Sequence, residues 1–338
     1  MAAYNGAALI GATIDSLLAQ TRPDWELVVV DDRSTDATRD IVAGYTDPRI
    51  RLIAAPVNQG PVRARNLAFT LARGRYVAGL DHDDLCHPER LARQVAYLDA
   101  HPPIVLVGTA ATELRGSAIV PSQLPPITSP ALIAWLLHIQ NPLVWSSVMV
   151  RADAVRAMPE LTRPDRLYAE DFDLYHRLLP IGGIARLDEE LVTYRSHAGG
   201  ASQRFTATMY AQAGRVLGDC YRPVFGERSE AIAALIVRHV MGRETVADGD
   251  TLRTLGDAIA QLQAYFLATY RPDRESQWLI RWETARLWAR IGRAALRSGA
   301  VTIGERFTAR PDHLGLGHAG LGELMASHLV GAARRARR

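Results

Sequence analysis

The chain has 338 residues, 48% of them hydrophobic and 22% charged, with a formal net charge of +3. That is the composition of a globular chain, and the charge excess is too small to imply a nucleic-acid partner. All 39 basic residues are arginine, which excludes a P-loop, whose phosphate-reading residue is a lysine, and likewise a receiver-type phosphorylation site around Asp31-Asp32.

Cys86 and Cys220 stand in dissimilar contexts, which argues for a reducing, cytoplasmic compartment and against a disulfide scaffold. No basic region precedes an apolar core at the N-terminus, so no secretory signal is expected. The apolar stretch 131–150 carries His138, Gln140, Asn141 and Pro142 at its centre and is too polar and broken to span a bilayer.

In chain order, Tyr4-Asn5-Gly6 reads as a turn and residues 7–20 as a helix with Leu9, Ile10, Ile14, Leu17 and Leu18 on one face. Residues 25–30 form an apolar strand ending in Asp31-Asp32, and Ser34, Thr35 and Asp36 offer caps for a helix over 37–45. A strand over 49–54, a turn at Asn58-Gln59-Gly60-Pro61 and a helix over 62–73 follow. Next comes a short buried strand, Tyr76 to Leu80, which ends in Asp81-His82-Asp83-Asp84. A helix over 88–100 and a strand over 104–108 complete an alternation that predicts an α/β fold, doubly wound on a mostly parallel sheet.

From about Thr112 the rhythm changes. Pro121, Pro125, Pro126 and Pro130 mark an irregular connection, a strand resumes at 147–151, a helix is expected over 170–179, and strands at 184–187 and 191–194. Beyond Ser202 the pattern is helical, broken near Pro223, Gly226, Asp248 and Pro272. We therefore expect three parts: residues 1–110, residues 111–204, and a helical extension over 205–338. The stretch 321–338 turns from apolar to strongly basic, either an amphipathic contact to anionic lipid at the inner face of a membrane or a solvated tail.

The acid cluster carries the strongest chemical signal. In an open α/β sheet, ligands bind beyond the carboxyl ends of the strands. Two carboxylates ~4 Å apart repel by roughly 4 kcal/mol at an effective dielectric near 20. Three at one strand end call for solvation or a cation, and hard oxygen donors favour Mg²⁺ or Mn²⁺ holding a diphosphate. Zinc is not expected at Asp83, Cys86 and His87, because no second Cys/His cluster has ligand spacing. Cys86 reads as a small buried residue, and Gln277 to Trp282 as part of an amphipathic helix.

Taken together and in order, Tyr4-Asn5-Gly6, Val28 to Asp36, Asn58-Gln59-Gly60, Ala64-Arg65-Asn66, Asp81 to Asp84, Pro88 to Leu91 and Glu170 to Leu174 resemble glycosyltransferase family 2, over roughly residues 1–202. The resemblance implies the GT-A fold and an inverting, metal-dependent transfer of a sugar from a nucleoside diphosphate. It implies that Tyr4, Asp32, Arg65 and Asp81 bind the donor, Asp32 at the base and Asp81 at the ribose. It places the metal at Asp83 with His197, the general base at Asp171, and an acceptor-binding or orienting role at Glu170. The donor is expected to be UDP- or GDP-linked and the acceptor a glycan, a lipid-linked glycan or a protein. Two other readings stay open: nucleotidyl transfer, which lacks its Gly-rich basic loop here, and a degenerate donor-binding or scaffold protein without turnover. The family places a full apolar strand, the first and central one, ahead of Tyr4, where only Met1-Ala2-Ala3 stand, so coding sequence for that strand is expected upstream.

Overall fold

The computed structural model describes residues 1–120, 124–309 and 321–336; Pro121 of the expected proline-rich connection lies outside them. Two compact units emerge: one comprises residues 1–133 and 141–209, the other residues 134–140 and 210–338.

Through residue 204 the elements run β1 (Ala2–Ala3), α1 (Ile10–Leu18), β2 (Leu27–Asp31), α2 (Thr38–Ala43), β3 (Ile50–Ala54), α3 (Pro61–Leu71), β4 (Tyr76–Ala78), β5 (Leu85–Cys86), α4 (Arg90–Ala100), β6 (Ile104–Arg115), β7 (Ala118–Val120), α5 (Pro130–Leu137), β8 (Met149–Arg151), α6 (Ala152–Arg156), α7 (Glu170–Leu178), β9 (Gly183–Ser196) and α8 (Ala201–Arg204), of which only α5 passes into the second unit. Strands β1, β2 and β3 form a parallel sheet in that order. A second sheet has the order β4-β8-β6-β9-β5, with β7 paired to β6. Here β6 and β9 run parallel and the other pairs antiparallel.

The apolar run of β2 follows from burial on both faces. Leu27 and Val29 pack with Ile10, Ile14 and Leu17, whereas Val28 and Val30 pack with Ala64 and Ala68. Helix α4 covers the second sheet through Leu91, Val95 and Leu98, against Ile104, Val107 and Met149. Cys86 is buried in the α1 core, as its size and polarity predict.

Between the two sheets lies a cavity of about 820 Å³, lined by Met1, Ala2, Val28, Tyr76, Val77 and Ala78 among others. Its walls therefore include β1 and β4, the end strands of the two sheets. The amino group of Met1 donates to the Val28 carbonyl at 2.8 Å, and burial pulls its pKa down to about 5.

Arg90 ties the acidic strand end into the second sheet. It is fully buried, and its guanidinium donates to the Gly79 carbonyl (2.8 Å), the Val148 carbonyl (3.1 Å), Gln94 Oε1 (3.0 Å) and Cys86 Sγ (3.2 Å). Gln94 extends the network to the carbonyls of Val107 and Ser147.

The second unit is helical. Beyond Phe205 the chain forms α9 (Thr206–Phe225), α10 (Ser229–Ile236), a π-helical turn over Val237–Met241, α11 (Gly249–Tyr270), α12 (Arg274–Ser298), α13 (Ile303–Thr308) and α14 (Leu321–Arg335). Asp248 caps α11 through the Thr251 amide and Asp273 caps α12 through the Ser276 amide. Trp135 and Gln263 both donate to the buried Thr284 hydroxyl. The basic end of the chain is no solvated tail over the described residues: α14 lies on α12, with Leu324 packed against Ala289 and Leu296.

Two stability outcomes follow. Joining an apolar, β-branched segment of about five residues ahead of Met1 lets it occupy the cavity as a strand and turns the buried amine into a peptide amide. Calorimetry should show Tm raised by about 5 °C or more relative to a Gly/Ser segment of equal length; equal Tm values would show that the cavity takes no strand. Replacing Arg90 with Met removes the donors to buried carbonyls and should cost about 2–4 kcal/mol in urea unfolding.

Candidate functional site

The site begins where β4 stops. Gly79 donates its amide to the Val148 carbonyl at 2.9 Å, and a Cβ on Gly79 would come within 2.5 Å of the Trp145 carbonyl oxygen, so only glycine fits this crossing. Two residues on, the Asp81 amide donates to Ser146 Oγ at 3.0 Å. The chain then turns, and ligating oxygens of Asp81, Asp83 and Asp84 lie within 4.8 Å of one another.

Each of the three carboxylates has a different setting. Asp84 is 1% exposed and accepts the Arg195 amide at 2.9 Å. Burial, and then the charges of Asp81 and Asp83, push its pKa up to about 7. Asp83 is partly buried, with Oδ2 3.0 Å from His197 Nε2. Asp81 is the most open, its side chain 38% exposed. Arg195 fastens this loop from the end of β9: its Nε donates to the Asp83 carbonyl and its Nη2 to Thr13 Oγ1 (2.8 Å) and the Leu9 carbonyl (3.1 Å). An all-oxygen cluster whose buried member is driven toward protonation is short of positive charge. That donor set fits a hard divalent cation such as Mg²⁺ or Mn²⁺.

Arg65, on α3, joins this cluster to the start of α7. Its Nη1 donates to Glu170 Oε1 at 2.6 Å and its Nη2 to Asp81 Oδ1 at 3.3 Å. The guanidinium lies 4.4 Å from the centroid of the Trp145 ring, a cation–π contact. Glu170 is buried, and its Oε2 has no hydrogen-bond partner. Beside it, Asp171 accepts Asn141 Nδ2 at 2.9 Å on one oxygen and the Phe172 amide at 2.7 Å on the other. Burial, and then the charge of Glu170, raise the Asp171 carboxyl to about 6.

Arg65, Asp81, Asp83, Glu170, Asp171 and His197 thus gather in one cluster. Two other expected residues are placed differently. Both oxygens of Asp32, 2% exposed, accept backbone amides at the start of α3: Gln59 at 2.9 Å and Gly60 at 2.8 Å. Each oxygen thus accepts one amide just ahead of a helix N-terminus, where charge and dipole favour a carboxylate. Tyr4 stands 46% exposed on a loop fixed by its neighbour, since Asn5 Oδ1 accepts the Thr35 amide and the Asn5 amide donates to Ser34 Oγ.

Four residues of the site receive no role from the sequence. Asn66 grips Thr162 through three hydrogen bonds of 2.7–3.0 Å, holding the segment before α7. Asn141, Trp145 and Ser146 brace Asp171, Arg65 and Asp81 in turn. Their one sequence signal is polarity inside the apolar stretch 131–150, which marks a break without assigning a contact.

Comparison with known proteins agrees with this geometry. Residues 1–155 match the family described as Glycosyl transferase family 2. The succinoglycan biosynthesis protein ExoO of Rhizobium meliloti (strain 1021) is 51% identical over 100 residues, 30% of this chain and 29% of that protein. The putative glycosyltransferase EpsE of Bacillus subtilis (strain 168) is 34% identical over 194 residues, 54% of this chain and 66% of that protein. The chain therefore spans under a third of the first relative's length and about two thirds of the second's. Among solved structures, S. aureus TarS 1-349 in complex with UDP superposes with a TM-score of 0.54 at 18% identity, covering 100% of this chain and 89% of TarS 1-349. At that identity the likeness shows the fold, which is GT-A. The acid cluster, the fold and the family match converge on one statement: residues 1–155 carry a glycosyltransferase family 2 domain.

Proposed function

We propose that the chain is an inverting glycosyltransferase that moves a sugar from a nucleoside diphosphate to a hydroxyl of a polysaccharide or lipid-linked glycan, on the cytoplasmic side of a membrane. The observation that carries the reading is Arg65, whose one guanidinium joins Asp81 of the acid cluster to Glu170, the neighbour of Asp171. A donor held at the first and an acceptor held at the second would meet within the reach of one side chain. The name of the first relative supports a polysaccharide product, and the UDP complex of TarS supports a UDP-linked donor.

Asp83, with Asp81 beside it and His197 against it, would hold Mg²⁺ or Mn²⁺. Such an ion, when bound, neutralises diphosphate charge and so stabilises the leaving group. Asp81 would accept a ribose hydroxyl, and Arg65 would keep its carboxylate turned toward the donor. Asp171 takes the proton of the acceptor hydroxyl on a remaining lone pair of its carboxylate, whose two oxygens each already accept one hydrogen bond, from Asn141 and from the Phe172 amide. The acceptor oxygen then bonds to the anomeric carbon opposite the breaking bond to the diphosphate, which inverts that centre. A base of pKa about 6 is charged at neutral pH yet basic enough to accept a proton in the transition state. Glu170, its second oxygen unpartnered, orients Asp171 or receives an acceptor hydroxyl.

Calorimetric titration with UDP and GDP, with and without Mn²⁺, tests the donor site. Metal-dependent binding of one nucleotide is expected, weakened more than about tenfold in Asp83→Ala. No binding of either nucleotide would return the chain to the scaffold reading. Asp171→Asn is expected to lower kcat by about 10²–10⁴-fold while leaving UDP affinity within about twofold. The pH dependence has a definite sign: the base must be deprotonated, so kcat/KM for the acceptor should fall as pH drops through about 6 and level off above it. A profile flat across that range would remove Asp171 from the role.

A further inference from the structure

The helical unit leaves two surfaces that the proposed transfer does not use. On α12, Trp278 and Trp282 are 58% and 43% exposed and stack at 5.3 Å, one turn apart, with Arg274 and Arg281 exposed on the same helix. On α14 the inward face is Leu324, Ser327 and Gly331, with Gly331 so close to α12 that a Cβ would fall 1.9 Å from the Leu296 carbonyl oxygen. Its outward face is apolar: Met325, Leu329 and Val330 are 49%, 65% and 37% exposed. That stripe ends at Arg334 and Arg335, which reach carbonyls of Arg297 and Gly299 at 3.0 and 3.1 Å.

We propose that these two faces seat the helical unit on an anionic lipid surface, with Trp278, Trp282, Met325 and Leu329 entering the headgroup boundary and the arginines beside them meeting lipid phosphate. Charge decides the occupant. From Tyr210 onward the sequence holds 19 arginines against 13 acidic residues, whereas residues 1–209 hold 20 against 23. The excess positive charge thus lies in the part that bears the apolar faces. A second copy of so basic a unit would be repelled, and a nucleic acid has no use for exposed Leu329 and Met325. Tryptophan, with an apolar body and a polar edge, suits the boundary between water and acyl chain. Among the described residues no helix is long and apolar enough to cross a membrane, so the contact is peripheral. This surface deepens the membrane-side placement of the transfer and rests on it, yet its test reads no transfer.

The experiment is co-sedimentation of the full chain with phosphatidylcholine vesicles, with and without phosphatidylglycerol, at low and high salt. Binding is expected only with phosphatidylglycerol and should weaken as salt rises. The doubly substituted Trp278→Ser/Trp282→Ser and Met325→Ser/Leu329→Ser chains, altered only at exposed positions, should each bind at least about tenfold more weakly. Their circular dichroism should be unchanged. Absence of binding to anionic vesicles overturns the proposal, as does binding that both variants retain. So does a concentration-dependent dimer in sedimentation equilibrium that either variant dissolves, because the face would then belong to a second copy. Loss of nucleotide binding with vesicle binding intact would sink the transferase reading and leave the surface standing.

Discussion

Arg65 is the contact on which the site depends. Around it stand Asp81, Glu170 and Asp171, and Asp83 and Asp84 follow within three residues of Asp81. Burial works against the charge of Arg65, but Glu170 and then Asp81 outweigh it and hold the guanidinium firmly protonated. The face of Trp145 supplies a further wall that attracts cations and excludes water. Removing one partner of such a buried set strands the other charges, at a cost of several kcal/mol. The helix α3 therefore stands between two fixed points: the Gln59 and Gly60 amides just before it hold Asp32, and its second turn delivers Arg65 and Asn66 to the segment that positions α7.

This arrangement explains which parts of the molecule could be read from sequence. The strand β2 was legible because its apolar run is buried on both faces, and the acid cluster because its members are adjacent in sequence. Helix breaks were legible for the same reason: Asp248 and Pro272 are local signals with local consequences. The partners of Arg65 and Asn66 lie 105 and 96 residues away, and no periodicity encodes such a pairing. Asp32 is held by nearby amides of Gln59 and Gly60, a contact that its position after β2 does not by itself announce.

Two elements depart from their sequence pattern for identifiable reasons. Strands expected at 184–187 and 191–194 are one strand, β9, in which Asp188 and Glu189 form a bulge: Leu187 pairs with Thr109 and Glu190 with the next residue, Ala110. A polar bulge interrupts the hydrophobic pattern without ending the strand. The basic end carries a run of arginines, yet its placement is set by Gly331, which lets α14 close on α12. Arg334 and Arg335 then serve the end of α12, where free carbonyls and the helix dipole favour cations.

The absence of lysine bears on how the protein is built as well as on what it is not. Every buried cation must be a guanidinium, which is planar, always charged and able to give several hydrogen bonds in fixed directions. The first unit uses that property repeatedly. Arg90 holds four acceptors and so joins the end of β4 to β8 and α4. Arg195 joins the acidic loop to α1, and Arg65 joins the same loop to α7. Three forks thus fix one short loop from three sides, and the carboxylates it carries are positioned before any ligand arrives. An ammonium at each point would satisfy the charge but not the set of directions, so the loop would be free to relax away from its own crowded acids. Preorganisation of the acid cluster is in this sense a property of the arginines around it.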